Sequence, residues 1–403
     1  MTGVRSSLVR LLWGVPLVAA LAVGTAPPGG EVGLAGTVPV AADIVTSPGQ
    51  CPGVRTVDGG FVLTENTTCN VVWRDDATVF DLRGHMFKGE LRIEGTDQTL
   101  RNGTLITERG LWNRSADLRV SHLRVQPPTP GGGGSFLVEA GHRTLVEYST
   151  FLGAGKTALS FYFGDGGTVR RSTFRDNGRG VSVQRGDGVV ITENQFIGND
   201  VGINLWDEDF AGVNRVRVNR NRITGSRMAG ISLRMRYHDR RPPEYRPFQD
   251  GRIEDNLVSG SGAAGLDVTM QCVTKDPAEC GDYSSVQVNR NTFRTNGSAP
   301  TDQAPWSNDG VTARSAYLTY DGKTSPLPEG LAFLRLRGNV AVHNAGHGFD
   351  VVGVTDGGRN VARGNGDPEQ CLGLSCAGVR RSGGTVAPDG PSSGSVAAQQ
   401  DPV

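Results

Sequence analysis

Three short stretches of this chain carry the same residue types at the same offsets: Val189, Ile191, Asn194, Phe196; then Val216, Val218, Asn221, Ile223; then Val286, Val288, Asn291, Phe293. A variant one residue shorter runs Gly251, Ile253, Asn256, Leu257 and again Leu334, Leu336, Asn339, Val340. Degenerate copies end at Phe151 and Phe174, with Ser149 and Ser172 in the asparagine position. Each copy is followed by a small residue and an alternating strand: GVSV at 180, GINL at 202, GISL at 230, GLDV at 265, GVTA at 310 and GFDV at 348. Period-two alternation marks strands with one face inside. The step from Phe174 to Phe196 is 22 residues. A unit of that size cannot bury an apolar face alone, so the units must stack.

Two strand signatures separated by Gly and Asn turns fit one rung of a parallel β-helix, with rungs about 4.8 Å apart. The 58 glycines and the sparse aromatics (6%) agree with short strands and tight turns. The pattern resembles the right-handed parallel β-helix repeat of the pectin-lyase-like superfamily. VFDLRGHMFKG (79 to 89) followed by LRNGTLI (100 to 106) is similar to the opening rungs of many secreted members. The resemblance covers residues 50 to 365. It implies an all-β, single-stranded right-handed parallel β-helix with a polymer laid along a groove. The scaffold carries lyases, hydrolases, epimerases and non-catalytic binding proteins alike, so function must be argued from the site.

Arg5 and Arg10 followed by LLWGVPLVAALAVG and small residues read as a secretory signal, with cleavage possible after Ala26 or Ala42. The apolar run is too short for a persuasive membrane span. The expected organisation is a leader at 1–42, an N-terminal cap at 43–78, the coil at 79–378 and a disordered tail at 379–403. The chain is expected to be exported, monomeric and without a membrane span once the signal is removed. Zero net charge argues against a nucleic-acid surface. The six cysteines form three close pairs, Cys51 with Cys69, Cys272 with Cys280 and Cys371 with Cys376. In an exported chain this spacing favours disulfides over zinc. No nucleophile elbow, phosphate loop, zincin motif or dinucleotide fingerprint is present.

Asn194, Asn221 and Asn291 read as a structural ladder of stacked turns. The alternation sends Val181, Val183, Ile203, Leu205, Ile231, Leu233, Leu266 and Val268 inward. The outward columns are then Ser182, Asn204, Ser232, Asp267, Thr312, Asp350; Gln184, Trp206, Arg234, Thr269, Arg314; and Glu208, Arg236, Gln271. Insertions at 237–250, 272–283, 298–309 and 317–330 gather along one edge and suggest a groove wall. Asp267, with Arg234 diagonally before it and Arg314 diagonally after, is the sharpest catalytic candidate, and those cations are expected to keep it ionised. Glu208 or Asp207 could serve as its partner carboxylate across a sugar ring, or the acids at 207–209 could bind calcium. His238 is a further acid or base candidate. Trp206 could stack on a sugar, with Asn204, Arg236, Gln271 and Arg314 as binding residues. Gly346, His347 and Gly348 match the Gly-His-Gly of polygalacturonases in letters, but the companion motifs of that family are missing, so His347 reads as turn chemistry. The function expected is action on an extracellular polysaccharide as lyase, hydrolase or epimerase. The alternative is a non-catalytic binding or structural protein of the cell envelope.

Overall fold

The computed structural model describes residues 44–377 apart from 109, 133–134, 140–141, 163, 208–212, 239–248, 274–284, 300–307, 319–323 and 326–331. The residues read as a leader (1–42) and a tail (379–403), Glu208 and most of the four insertions therefore lie outside the described residues. Among the described residues no helix is long and apolar enough to cross a membrane.

The chain winds as a single parallel β-coil. One rung consists of Val190–Thr192, Gln195–Ile197 and Val201–Asp207. Each strand lies parallel on its counterpart one rung later, Arg217–Asn219, Arg222–Thr224 and Ile231–His238. The third strands form one continuous sheet from Ile44–Val45 to Cys371–Leu372. Near the start an antiparallel hairpin, Val54–Val57 with Gly60–Leu63, joins the first parallel rungs. Cys51–Cys69 and Cys371–Cys376 are bonded, and Cys272 is disulfide-bonded as well.

Register survives although the repeats lengthen. The sequence separation of equivalent asparagines grows from 27 to 48 residues, yet each pair still meets. The reason lies at one corner, where seven successive rungs place a residue in the left-handed region: His122, Tyr148, Arg171, Glu193, Arg220, Asp255 and Arg290, with φ between 50° and 58°. In six of these rungs the residue that follows turns its polar side chain inward; after His122 it is the buried Leu123, whose amide donates to Ser149 Oγ. Asn194 accepts from Ser172 N at 3.0 Å and donates through Nδ2 to Val169 O (3.0 Å) and Asn221 Oδ1 (3.1 Å). The ladder continues through Asn256, Asn291 and Asn339 to Asn360. Ser149 and Ser172 occupy it as expected, linked by Ser149 N to Ser172 Oγ at 3.2 Å. A second ladder, Asn177 with Asn199 and Asn296 with Asn344 and Asn365, runs at the next corner. It satisfies buried backbone amides that the turn leaves without strand partners.

The core is filled by stacked equivalents. Phe151, Phe174 and Phe196 lie face to face with ring centroids 5.0 Å apart at each step. The eight inward residues named above are all 0% exposed, which fixes the parity of the long strands. Glycine before each long strand is imposed by space. A Cβ on Gly230 would sit 2.2 Å from Val258 Cγ1 and 2.8 Å from Gly265 O. Gly230→Ala is expected to cost about 1–3 kcal/mol through overpacking. Thermal unfolding followed by circular dichroism should show this as a fall of roughly 2–4 °C per kcal/mol; an unchanged melting temperature would contradict it.

Candidate functional site

The long strands widen and then narrow along the coil. Arg179–Gln184 has 6 residues, Val201–Asp207 has 7, and Ile231–His238, Leu266–Val273 and Val311–Leu318 have 8, before Phe349–Val351 falls to 3. The insertions leave from the ends of this broad part. Its outer face carries the expected columns in register: Ser182, Asn204, Ser232, Asp267, Thr312 and Asp350 in one line, and Gln184, Trp206, Arg234, Thr269 and Arg314 in the next. Arg236 and Gln271 pair beyond them.

Asp267 sits between the two arginines, but its charge state differs from the expectation. Part of its surface reaches solvent, while protein surrounds the rest. Burial pushes its carboxyl above the ordinary value of 3.8, and Arg234 and Arg314 pull it back without restoring it. The reason is geometric: Arg314 is committed elsewhere, its Nη1 donating to Asp350 Oδ1 at 2.9 Å and its Nη2 to Asp350 Oδ2. Burial thus shifts Asp267 toward its protonated form, against the two cations beside it.

Below it lies a cluster that the motifs did not reveal. Asp309, 1% exposed, accepts from Thr312 Oγ1 at 2.9 Å and from His347 N at 2.7 Å, and its Oδ1 lies 3.2 Å from His347 Nδ1. His347 Nε2 is 3.4 Å from Asp367 Oδ2. Burial raises the Asp309 carboxyl, and the nearby Asp350 adds to that, against the hydrogen bonds from His347 and Thr312. The letters around His347 are therefore more than a turn: its ring bridges two acids. Asp309, His347 and Asp350 offer ligand atoms within 4.8 Å of one another. Each is already engaged by a protein partner, so the group fits a hydrogen-bonded relay better than a cation cage.

Arg179 was also missed. Its guanidinium carbon lies 5.7 Å from the centre of the Trp206 ring. Burial lowers its pKa, as does Arg234, with Asp200 opposing. Arg179, Asp309 and His347 share one position, immediately before the repeat glycine, where the intervening rungs have Val201, Ala229 and Ala264. A polar residue in an otherwise apolar column was the available signal.

The remaining candidates divide. Arg234 and Arg236 are exposed and form no salt bridge among the described residues, although Arg234 acts on Asp267 through its charge. Gln271 is half-buried beside Arg236. Asn204 is 4% exposed and donates to Ser182 Oγ at 3.1 Å, so it braces the face rather than offering itself to a ligand. Trp206 is half-buried with Arg179 against its ring, so it is not an open stacking shelf. Asp207 must be withdrawn from the face. It shares the inward parity of Ile203 and Leu205, is 1% exposed, and aligns with Met235, so it cannot confront Asp267 or join a cation site outside. The strand reaches His238, whose side chain, like Glu208, lies outside the described residues.

A family model described as a right-handed beta helix region matches residues 84–223. No curated protein matches the chain. The A-module of an Azotobacter vinelandii mannuronan C-5 epimerase, AlgE4, is similar in structure, with a TM-score of 0.51 at 15% identity over 83% of this chain and 87% of that one. An exopolygalacturonase from Thermotoga maritima scores 0.43 at 8% identity, over 74% and 80% of the two chains. At these identities the likeness is one of fold.

Proposed function

We propose that this chain, a right-handed parallel β-helix of the pectin-lyase-like superfamily, hydrolyses an extracellular polysaccharide on the outer face of its long strands. The observation that carries the reading is the Asp267 carboxyl, held above its ordinary value by burial at the centre of that face. A carboxyl shifted toward its protonated form by burial is the kind of group a general acid requires. Asp350 stands in the same column two rungs on, about 9.6 Å away at the backbone. Such a spacing leaves room for a water between two carboxyl groups, as inverting hydrolysis needs. Asp267 would protonate the glycosidic oxygen as its bond to the anomeric carbon breaks. The water would attack that carbon from the opposite side and pass a proton to Asp350, itself oriented by Arg314 and backed by the Asp309–His347 pair. Arg234 and Arg236, exposed on this face and without a salt bridge among the described residues, favour an acidic sugar. A similar fold belongs to an enzyme named for mannuronan, which agrees with a uronate polymer.

The test is to incubate the full chain with neutral and uronic-acid glycans, with and without chelator. Accumulation of reducing ends, with inversion at the new anomeric centre, is expected. Products absorbing as unsaturated uronates would replace hydrolysis by elimination, and no product on any glycan would leave the non-catalytic binding protein. Activity should also fall as pH rises through the raised value of Asp267, because the protonated form is the acid; a rate that rises over that limb would assign Asp267 another role.

A further inference from the structure

A second site lies at the left-handed corner, away from Asp267. Along that corner the outward side chains form a continuous ladder. Arg290 pairs with Asp255 at 2.8 Å, Arg220 with Glu193 at 3.1 Å, and Arg171 donates to Glu193 at 2.9 Å and to the Tyr148 hydroxyl at 2.6 Å. The Tyr148 ring then stacks on His122, with centroids 5.2 Å apart and planes 14° apart. One rung earlier the ladder stops. The residue there is Asn102, whose side chain turns aside to donate to Asp81 at 3.2 Å, and beside it stand Gly103 and Gly84. The result is an open concavity of about 520 Å³ bordered by Gly84, Asn102, Gly103, Thr104, His122 and Arg124, reaching to Tyr148 and Thr150. Gly103 could not be otherwise, since a Cβ would lie 2.4 Å from Leu82 Cβ.

We propose that this gap is a sugar-binding subsite, in which a pyranose ring takes the missing step of the ladder by stacking on the free face of His122. Neighbouring rungs are about 4.8 Å apart, so one flat ring fits between His122 and the backbone around Asn102 and Gly103. The stack beneath is rigid, because Tyr148 is held at its hydroxyl by Arg171 and the corner backbone is fixed rung by rung. The rim is polar: Thr104 and Thr150 line it together with Arg124, whose Nε donates to Gln126 at 2.8 Å. That matches a pyranose, whose C–H face is apolar and whose edge carries hydroxyls. The cleft is shallow and runs along the coil axis, so it suits one unit of a continuing polymer rather than an enclosed small molecule. The inference goes beyond the reaction at Asp267 and does not depend on it.

The test uses ring-proton NMR, which is tractable because the chain has 6 histidines. The His122 resonance is assigned by its loss in His122→Ala, and a neutral glucan hexasaccharide and a polyuronate hexasaccharide are titrated into the full chain. A saturable shift of that resonance with at least one of them is expected. His122→Ala should weaken binding of that sugar by about tenfold or more by calorimetry. Asn102→His should block it too, by filling the gap with a residue that tolerates the left-handed backbone. Circular dichroism of both variants should match the parent. The proposal is overturned if neither sugar shifts the resonance, if Asn102→His folds and binds as the parent does, or if adenosine displaces the sugar equally well, which would make the shelf a general aromatic one. Loss of hydrolysis with binding intact at His122 would refute the catalytic reading alone.

Discussion

Asp267→Asn should lower turnover by roughly 10²–10⁴-fold, the usual contribution of a positioned general acid. KM should change little, because the amide keeps the shape of the carboxyl and the sugar contacts around it. The same variant should gain stability at neutral pH. The folded state raises this carboxyl above 3.8, so folding favours the protonated form. That contribution is fully present below the unfolded-state value and is lost as pH rises through the folded one, leaving a desolvated charge above it. Denaturation midpoints of Asp267→Asn and parent should therefore converge in acid and separate toward neutrality, with the variant the more stable. Equal turnover in the variant would remove Asp267 from the chemistry. A variant less stable at pH 7 would mean that Arg234 and Arg314 hold an anion there after all.

The second large effect belongs to the scaffold. Asn256 accepts from Asn221 N (3.0 Å) and Asn221 Nδ2 (3.0 Å), and donates to Val218 O (2.9 Å) and Asn291 Oδ1 (2.9 Å). Asn256→Ala leaves several of those buried groups without partners at once, each costing about 1–3 kcal/mol, and also opens a small void. A loss of roughly 3–5 kcal/mol is expected. It should appear as a lower urea midpoint at an unchanged slope. Asn256→Asp should fail similarly, since a carboxylate accepts from Asn221 but cannot donate to Val218. A loss below about 1 kcal/mol would mean that water replaces the side chain.

The coil was readable because its demands recur. Asn194, Asn221 and Asn291 announce a corner only when aligned, and the inward parity of Ile203 and Leu205 then assigns every outward residue by counting. That counting placed Asp267, Arg234 and Arg314 together on one face. It also placed Asp207 inward, a consequence that the cluster of three acids obscured. Charge state was not readable in the same way. Asp267 looked ionised because its neighbours are cationic, whereas desolvation and the commitment of Arg314 to Asp350 decide the balance, and both depend on atoms rungs away. Asp309 and Arg179 escaped notice because each stands immediately before the repeat glycine, ahead of the residues whose inward and outward parity was counted. The aromatic shelf at His122 escaped for another reason: its meaning comes from the absence of a large side chain at Asn102, which no motif reports.

The two asparagine ladders and the stacked phenylalanines tie each rung chiefly to its immediate neighbours. Such a molecule does not come apart as a globule does, since each rung answers to the one above and the one below. Amide exchange should consequently form a gradient along the axis, slowest from about Phe151 to Phe196 and fastest toward Ala341 and Ala362, where the same interior position holds only a methyl group. The coil then frays from its C-terminal end, and the face around Asp350 and His347 is the part of the groove that loosens first.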